Sequence, residues 1–317
     1  MKKVLGISFG RKLQTTDVMV KEALLQCKQA GHEITFIRAQ DLDIKNCTGC
    51  IACVIGLNSG RTKGECVLKD DFHILDEAIM EADAVIYGCP TYETSPTGLF
   101  KTVCDRIGPS HDLAFRKVAT DERQAAGRPQ SELPDPRALK PRVGAFCSCG
   151  GALTKNWLAF MSPVMYEFSF PLGIDIVDTF DYHGGMAYNH VVGNTSVIER
   201  MARMGQNVVE ALAATDEAER TRWRGEHQGV CPVCHCNLLT IPESGEAGKI
   251  ECPVCGIEGS VTLEDGRLKT AFSAEQQDRS RLRYGGKLEH CIEIREKGAP
   301  PGQIPDLEQR LDRYRWE

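Results

Sequence analysis

An α/β fold with a doubly wound parallel sheet, followed by a small four-cysteine module, is what this sequence predicts. Three observations carry the prediction. Over roughly the first 215 residues, short apolar runs alternate with segments of helical period, the sequence form of a parallel sheet with crossover helices. Each apolar run ends in a loop of small or polar residues, where an open parallel sheet binds its ligands. Near the C-terminus, two Cys-Pro-Val-Cys knuckles are separated by seventeen residues, the spacing of a small metal-bound ribbon.

The elements follow in order. Residues 4–8 form the first strand, and the loop from Ser8 to Thr16 brings hydroxyls and backbone N–H groups to the start of a helix over 17–30. That loop is a natural phosphate cradle, although Thr15 or Thr16 serving only as a helix cap accounts for it as well. It is neither G-x-G-x-x-G nor a P-loop, which speaks against a dinucleotide fold or a kinase. Val18, Val20, Ala23, Leu24 and Leu25 give the helix its apolar spacing, and Gly31 closes it. A strand at Glu33–Arg38 and a helix over 73–82 lead to a third strand, 84–88, which ends in the loop 89–98. A helix over 99–107, a fourth strand over 143–146 with the loop 147–151, and an amphipathic segment at 196–214 complete the domain.

Two cysteine sets carry chemistry. Cys47, Cys50 and Cys53 let three thiolates converge from one short loop, and Cys66 can complete the ligand set of a [4Fe–4S] cluster, across a gap of twelve residues. The alternative is ordinary reduced thiols, since free Cys is readily buried. Three cysteines within seven residues of a glycine-containing loop favour the metal. Cys231, Cys234, Cys252 and Cys255 are expected to hold structural Zn²⁺, because closed four-thiolate sites stabilise ribbons with little core. Rubredoxin-like iron is the competitor there, and Cys236 is one thiol more than the ligand count requires.

The 317 residues allow more than one domain. The expected boundaries are 1–215 for the α/β domain, 216–228 for a charged linker, 229–272 for the ribbon and 273–317 for a charged extension. A net charge of -6 leaves no electrostatic footprint for nucleic acid. No apolar run approaches membrane-spanning length, and fifteen cysteines without a signal-type apolar stretch point to a reducing, cytoplasmic setting. The stretch 112–141, with Arg116, Lys117, Arg123, Arg128, Arg137 and Lys140, reads as a long excursion: a lid, a binding arm or an oligomer contact, or else a solvated mobile loop. Its basic residues are expected to receive an anionic substrate or a partner. His111, His183 and His190 lie near predicted ligand loops but are weak candidates taken singly, and the segment 181–185 around His183 is a candidate wall of the active site.

At its loops the sequence resembles the flavodoxin-like NAD(P)H-dependent FMN reductases and their iron–sulfur flavoprotein branch. Gly6, Ile7, Ser8, Arg11, Thr15 and Thr16 occupy that family's phosphate loop, one residue shorter. Pro90, Thr91 and Tyr92, with Thr94, Ser95, Gly98, Lys101, Asp105 and Arg106, match its second motif. The resemblance implies that Ser8, Arg11, Thr15 and Thr16 hold the FMN phosphate. It also implies that Pro90, Thr91, Tyr92, Glu93, Thr94 and Ser95 run along the isoalloxazine, and that Cys147, Ser148, Cys149, Gly150 and Gly151 form a third flavin loop. In the iron–sulfur branch an Asp-Asp pair follows the cysteines; here Asp70 and Asp71 stand after Cys66 and mark it as the fourth ligand.

The implied function is that of a flavin-dependent oxidoreductase passing electrons between FMN and a [4Fe–4S] cluster. The donor would be NAD(P)H or a small redox protein, and the assembly a homodimer or homotetramer. A cluster-free NAD(P)H-dependent FMN or quinone reductase is the alternative among enzymes. Outside enzymes, the alternative is a redox-sensing binding protein that docks a partner through its ribbon. Redox chemistry of this kind belongs to the cofactors, so no general acid or base is assigned.

Overall fold

Alternation decides the sheet. In β1 (Lys3–Ser8) the side chains of Leu5 and Ile7 enter one apolar cluster and Val4 the opposite one, as a strand covered on both faces requires. α1 (Thr15–Gln29) buries Met19, Val20, Ala23, Leu24 and Cys27, spaced to line one helix face. β2 (Glu33–Arg38) follows, then α2 (Ala52–Asn58), α3 (Phe72–Glu81), β3 (Ala84–Tyr92), the two-residue β4 (Ser95–Pro96) and α4 (Gly98–Ile107). After α5 (Leu113–Ala125) come β5 (Arg142–Gly150), α6 (Met161–Ser169), β6 (Ile174–His183) and α7 (Thr195–Ala213). This computed structural model describes residues 1–185, 190–297 and 304–316.

The main sheet runs β2-β1-β3-β5-β6 with every pair parallel, and β4 turns back antiparallel on β3. The chain leaves β1 for β2 and then crosses back to β3, so the strand order reverses between β1 and β3. Ligand crevices of open α/β sheets lie at that reversal. α1 and α7 cover one face; α3, α4 and α6 cover the other.

In the main sheet β3, β5 and β6 go beyond the sequence reading, β3 by running on to Tyr92. β5 continues to Gly150 with all nine residues buried, because its polar end, Ser148 included, is covered by neighbours rather than by water. β6 and α6 escaped notice altogether. The strand reads Ile-Asp-Ile-Val-Asp-Thr-Phe-Asp, and its acidic residues look like turn signals in isolation. Asp178 is nevertheless fully buried, held by Arg200 at 2.6 and 2.9 Å and by Asn207 at 2.9 Å.

The stretch 112–141 is an ordered part of the body and not a solvated mobile loop. Asp112 caps α5 by accepting from the Ala114 amide at 2.9 Å. Arg123 donates to the carbonyls of Leu57, Thr62 and Glu132 at 2.6–2.7 Å, and Arg137 to Asp135, Glu77 and Glu81. These cations bind the chain to itself. The insertion after Cys53 supplies α2, whose Leu57 packs with Ala114 and Phe115 of α5.

After α8 (Glu217–Thr221), a second sheet has the antiparallel order β7-β8-β9: β7 (Lys249–Cys252), β8 (Ile257–Glu264) and β9 (Arg267–Ala271). α9 (Ala274–Asp278), α10 (Tyr284–Lys297) and α11 (Leu307–Asp312) follow. The ribbon is packed on the body: its four knuckle cysteines share an apolar cluster with Met165, Tyr166 and Phe168 of α6, and the Tyr166 hydroxyl donates to the Cys234 carbonyl at 2.6 Å. Among the described residues, no helix is long and apolar enough to cross a membrane.

Candidate functional site

The phosphate loop is built around a buried carboxylate. Asp17, in the first turn of α1, accepts from the Leu13 amide at 2.8 Å and from Arg38 at 3.1 and 3.2 Å. Although burial works against its charge, these donors hold its carboxyl below the ordinary range. The bonds fix Leu13 at φ 57°, which turns the loop over the start of α1. Thr15, Thr16 and the unpaired N–H groups of that helix end then face a cleft together with Gly10, Arg11 and Gln14.

The second wall is a hairpin. Thr91 pairs with Pro96 and Tyr92 with Ser95, so Glu93 and Thr94 form a two-residue turn, with φ of 49° and 69°. Both angles are positive, the conformation of a type I′ turn, which normally selects Asn or Gly. Pro90, Thr91 and Tyr92 line the cleft, and Tyr92 stands 53% exposed at its mouth. The third wall is Cys149, Gly150 and Gly151 at the end of β5. Cys149 Sγ lies 3.2 Å from Thr16 Oγ1, and burial pushes its thiol up to about 11.

Of the sequence candidates, Arg11, Thr15, Thr16, Pro90, Thr91, Tyr92, Cys149, Gly150 and Gly151 meet at this cleft. Ser8 lies beneath the loop, where its hydroxyl accepts from the Gly10 amide at 3.2 Å. Glu93, Thr94 and Ser95 complete the hairpin without lining the cleft. Cys147 points into the α1 side of the core, and Ser148 turns to the other face, where it donates to Asp181 at 2.6 Å. Burial raises the Asp181 pKa, against the hydrogen bonds from Ser148 and Ser162. Gly10 and Gln14 of the phosphate-cradle loop also line the cleft, as does Gly185, the last residue of the segment 181–185 expected as a candidate wall; its amide donates to the Gly150 carbonyl at 2.9 Å after β6. Of the three histidines, His190 contacts the Leu13 carbonyl at 2.8 Å, His183 ends β6, and His111 is buried elsewhere against Asp76.

The two cysteine sets differ in state. Cys231, Cys234, Cys252 and Cys255 are buried, with all four sulfur atoms within 4.8 Å of one another and two pairs at 3.5 and 3.6 Å. Tetrahedral zinc with Zn–S bonds of about 2.3 Å sets sulfur atoms about 3.8 Å apart, so this donor set fits a four-thiolate ion. Cys47 and Cys50 are exposed, Cys53 and Cys66 half-buried, and they are not drawn into such a group. Around them the Gly49 amide donates to Cys47 Sγ at 3.4 Å, the Ala52 amide lowers the Cys50 pKa, and Arg106 lies against Cys66.

Residues 3–152 match the model of the NADPH-dependent FMN reductases. This stretch is a domain of that family. The match ends just past Gly151, so the FMN reductase domain contains all three walls of the cleft that the sequence reading located. Across nearly its full length the chain is similar to a flavone synthase of Aspergillus candidus, 29% identical over 298 residues that span 92% of this chain and 88% of the relative. A solved flavone reductase covers 99% of the chain and is itself covered to 96%, with 28% identity and a TM-score of 0.79. An iron–sulfur flavoprotein of Methanocaldococcus jannaschii is 36% identical over 149 residues, 47% of this chain and 62% of that protein. The chain is an FMN-dependent oxidoreductase with the flavodoxin-like fold.

The cleft of the FMN reductase domain suits a phosphate ester. Thr91 Oγ1 is buried without a hydrogen-bond partner among the described residues, as expected of a hydroxyl kept for a ligand. A Cβ at Gly10 would meet Thr16 at 2.6 Å, so this backbone approaches the helix start as closely as glycine alone allows. The enclosed part measures about 130 Å³, room for the phosphate end of the cofactor rather than its ring.

Proposed function

We propose that this oxidoreductase uses NAD(P)H as donor and exchanges two electrons with a flavone-type aromatic ring system. The observation that carries the reading is the length of the likeness: the flavone synthase and the flavone reductase match the ribbon and C-terminal helices as well as the FMN reductase domain. In this reading Arg11, Thr15, Thr16 and the first amides of α1 neutralise and orient the FMN phosphate. Thr91 offers its free hydroxyl, and the hairpin from Tyr92 to Ser95 shields one side of the cleft. Bound there, FMN would supply hydride acceptance and the release of electrons as a pair or singly. The test is anaerobic: purified protein with NADPH or NADH and a flavone should oxidise the nucleotide in step with loss of the flavone. Nucleotide oxidation that ignores every flavone offered would reject the substrate class.

In the same reading the ribbon binds Zn²⁺ structurally, supported by the buried, gathered thiols. A homo-oligomer covering the cleft is supported by the exposed Leu13 and Tyr92, which stand on the phosphate loop and on the hairpin wall. A cytoplasmic location is supported by fifteen cysteines, none in a disulfide. A second reading adds a [4Fe–4S] cluster on Cys47, Cys50, Cys53 and Cys66, supported by their spacing and by the iron–sulfur flavoprotein relatives. Its ligands would have to close from their present separation. Anaerobic reconstitution with iron and sulfide should give four irons per chain, lost in Cys50→Ser, if this second reading holds.

A further inference from the structure

A cavity of about 800 Å³ lies between the cysteine loop, α3 and the turn around Asp135, and shares no lining residue with the cofactor cleft. That volume is in the range of small-molecule sites, about 300–1,000 Å³. Most of the charges on its wall are already matched. Arg106 is paired with Asp70, Arg137 with Glu77 and Asp135, and His111 Nε2 lies 3.1 Å from Asp76 Oδ1.

Arg116 is the exception. It is 6% exposed, its Nε donates to the Ser110 carbonyl at 2.9 Å, and its two terminal nitrogens make no hydrogen bond or ion pair among the described residues. Those nitrogens are not sealed off, and the cavity is the space they border. Burial weighs against the charge, while Asp76, Asp135 and Glu65 support it only at longer range. A buried guanidinium with its fork unused is costly unless an anion completes it, and the fork matches a carboxylate or phosphate. Lys63 and Lys69 on the same wall add positive charge; Glu65, Asp76 and the two carboxylates, Glu77 and Asp135, that share the one charge of Arg137 oppose it.

We infer that this cavity is a second ligand site, which takes a small oxyanion, carboxylate or phosphate, on the guanidinium fork of Arg116. The site is independent of the cofactor and of the oxidoreductase reading, and nothing in the cleft contributes to it. It also explains why one arginine of α5 stays unpaired while Arg123, on the same helix, is saturated by three carbonyls.

Calorimetric titration of the full-length, FMN-loaded protein tests this, with inorganic phosphate in one arm and succinate in the other. FMN occupies the cleft, so a phosphate signal there is suppressed. Saturable binding of at least one anion is expected, and the arm that binds names the chemistry. Arg116→Gln should weaken that binding by at least about tenfold with flavin content unchanged. Asp76→Asn removes a carboxylate from the same wall and should tighten it. Absence of saturable binding by both anions, or equal affinity in Arg116→Gln, overturns the inference. If Arg116→Gln does not fold, unchanged or weaker affinity in Asp76→Asn overturns it instead.

Discussion

Arg106 and Asp70 show how a single pair ties the cysteine loop to the helices. Both side chains are 1% exposed; Arg106 Nη2 donates to Asp70 Oδ1 at 3.0 Å, and the Lys45 amide donates to Asp70 Oδ2 at 2.8 Å. The hydrogen bond from Arg106 holds the Asp70 carboxyl down at about 2, against about 3.9 in an unfolded chain. Because the folded value is the lower one, the stabilisation is complete above pH ~4 and is lost as the pH falls towards ~2, by about 2 kcal/mol. Urea unfolding followed between these limits should show that loss, and Asp70→Asn should flatten it. At the cleft, Arg11→Ala removes the cation proposed to meet the FMN phosphate and is expected to weaken FMN binding about tenfold or more, read from flavin fluorescence on dilution. An unchanged FMN affinity would move the phosphate away from this loop.

At the level of elements, the loops carried more information than the strands. Thr15, Thr16 and the run from Pro90 to Tyr92 were readable because small polar residues directly after apolar runs have one structural meaning in a parallel sheet. Gly185 was readable only as the end of a candidate wall at 181–185, without the strand that delivers it, since β6 carries Asp175, Asp178 and Asp181, and the partners Arg200, Asn207, Ser148 and Ser162 that hold Asp178 and Asp181 are tertiary. The same reason hid the order in 112–141: its arginines look solvated until the carbonyls they meet, from residues far along the chain, are known. The hairpin turn offers a direct test. Glu93 and Thr94 both hold positive φ, a conformation costing of order 1 kcal/mol or more per residue. Replacing the pair by Asn-Gly should therefore raise stability by about 1 kcal/mol in thermal or urea unfolding. Lower stability in the Asn-Gly variant would mean that Glu93 or Thr94 makes a contact worth more than the strain.

For the whole molecule, the ribbon is the part whose standing changed most. Two Cys-Pro-Val-Cys knuckles announce a metal module, but their spacing cannot reveal that the module closes over α6 and shares its apolar cluster. Removal of residues from 229 onward is thus expected to uncover Tyr166 and Met165 and to give aggregated protein, measurable by light scattering of the shortened chain. A monodisperse, flavin-binding fragment would contradict this. Metal analysis of the intact protein should give one zinc per chain, and Cys252→Ser should lose it.

The bond from Tyr166 to the Cys234 carbonyl has a further consequence for cofactor retention. Tyr166 belongs to α6; Ser162, one turn earlier, grips Asp181, and Asp181 in turn grips Ser148, the immediate neighbour of Cys149 in the cleft wall. Knuckle, helix, carboxylate and cleft wall thus form one mechanical train of four links. A knuckle emptied of its ion would slacken the first link, and the last would hold the flavin less firmly. With zinc as the proposed ion, a chelator should therefore speed the loss of flavin, and stopped-flow measurement of flavin release with and without the chelator would record the difference in rate.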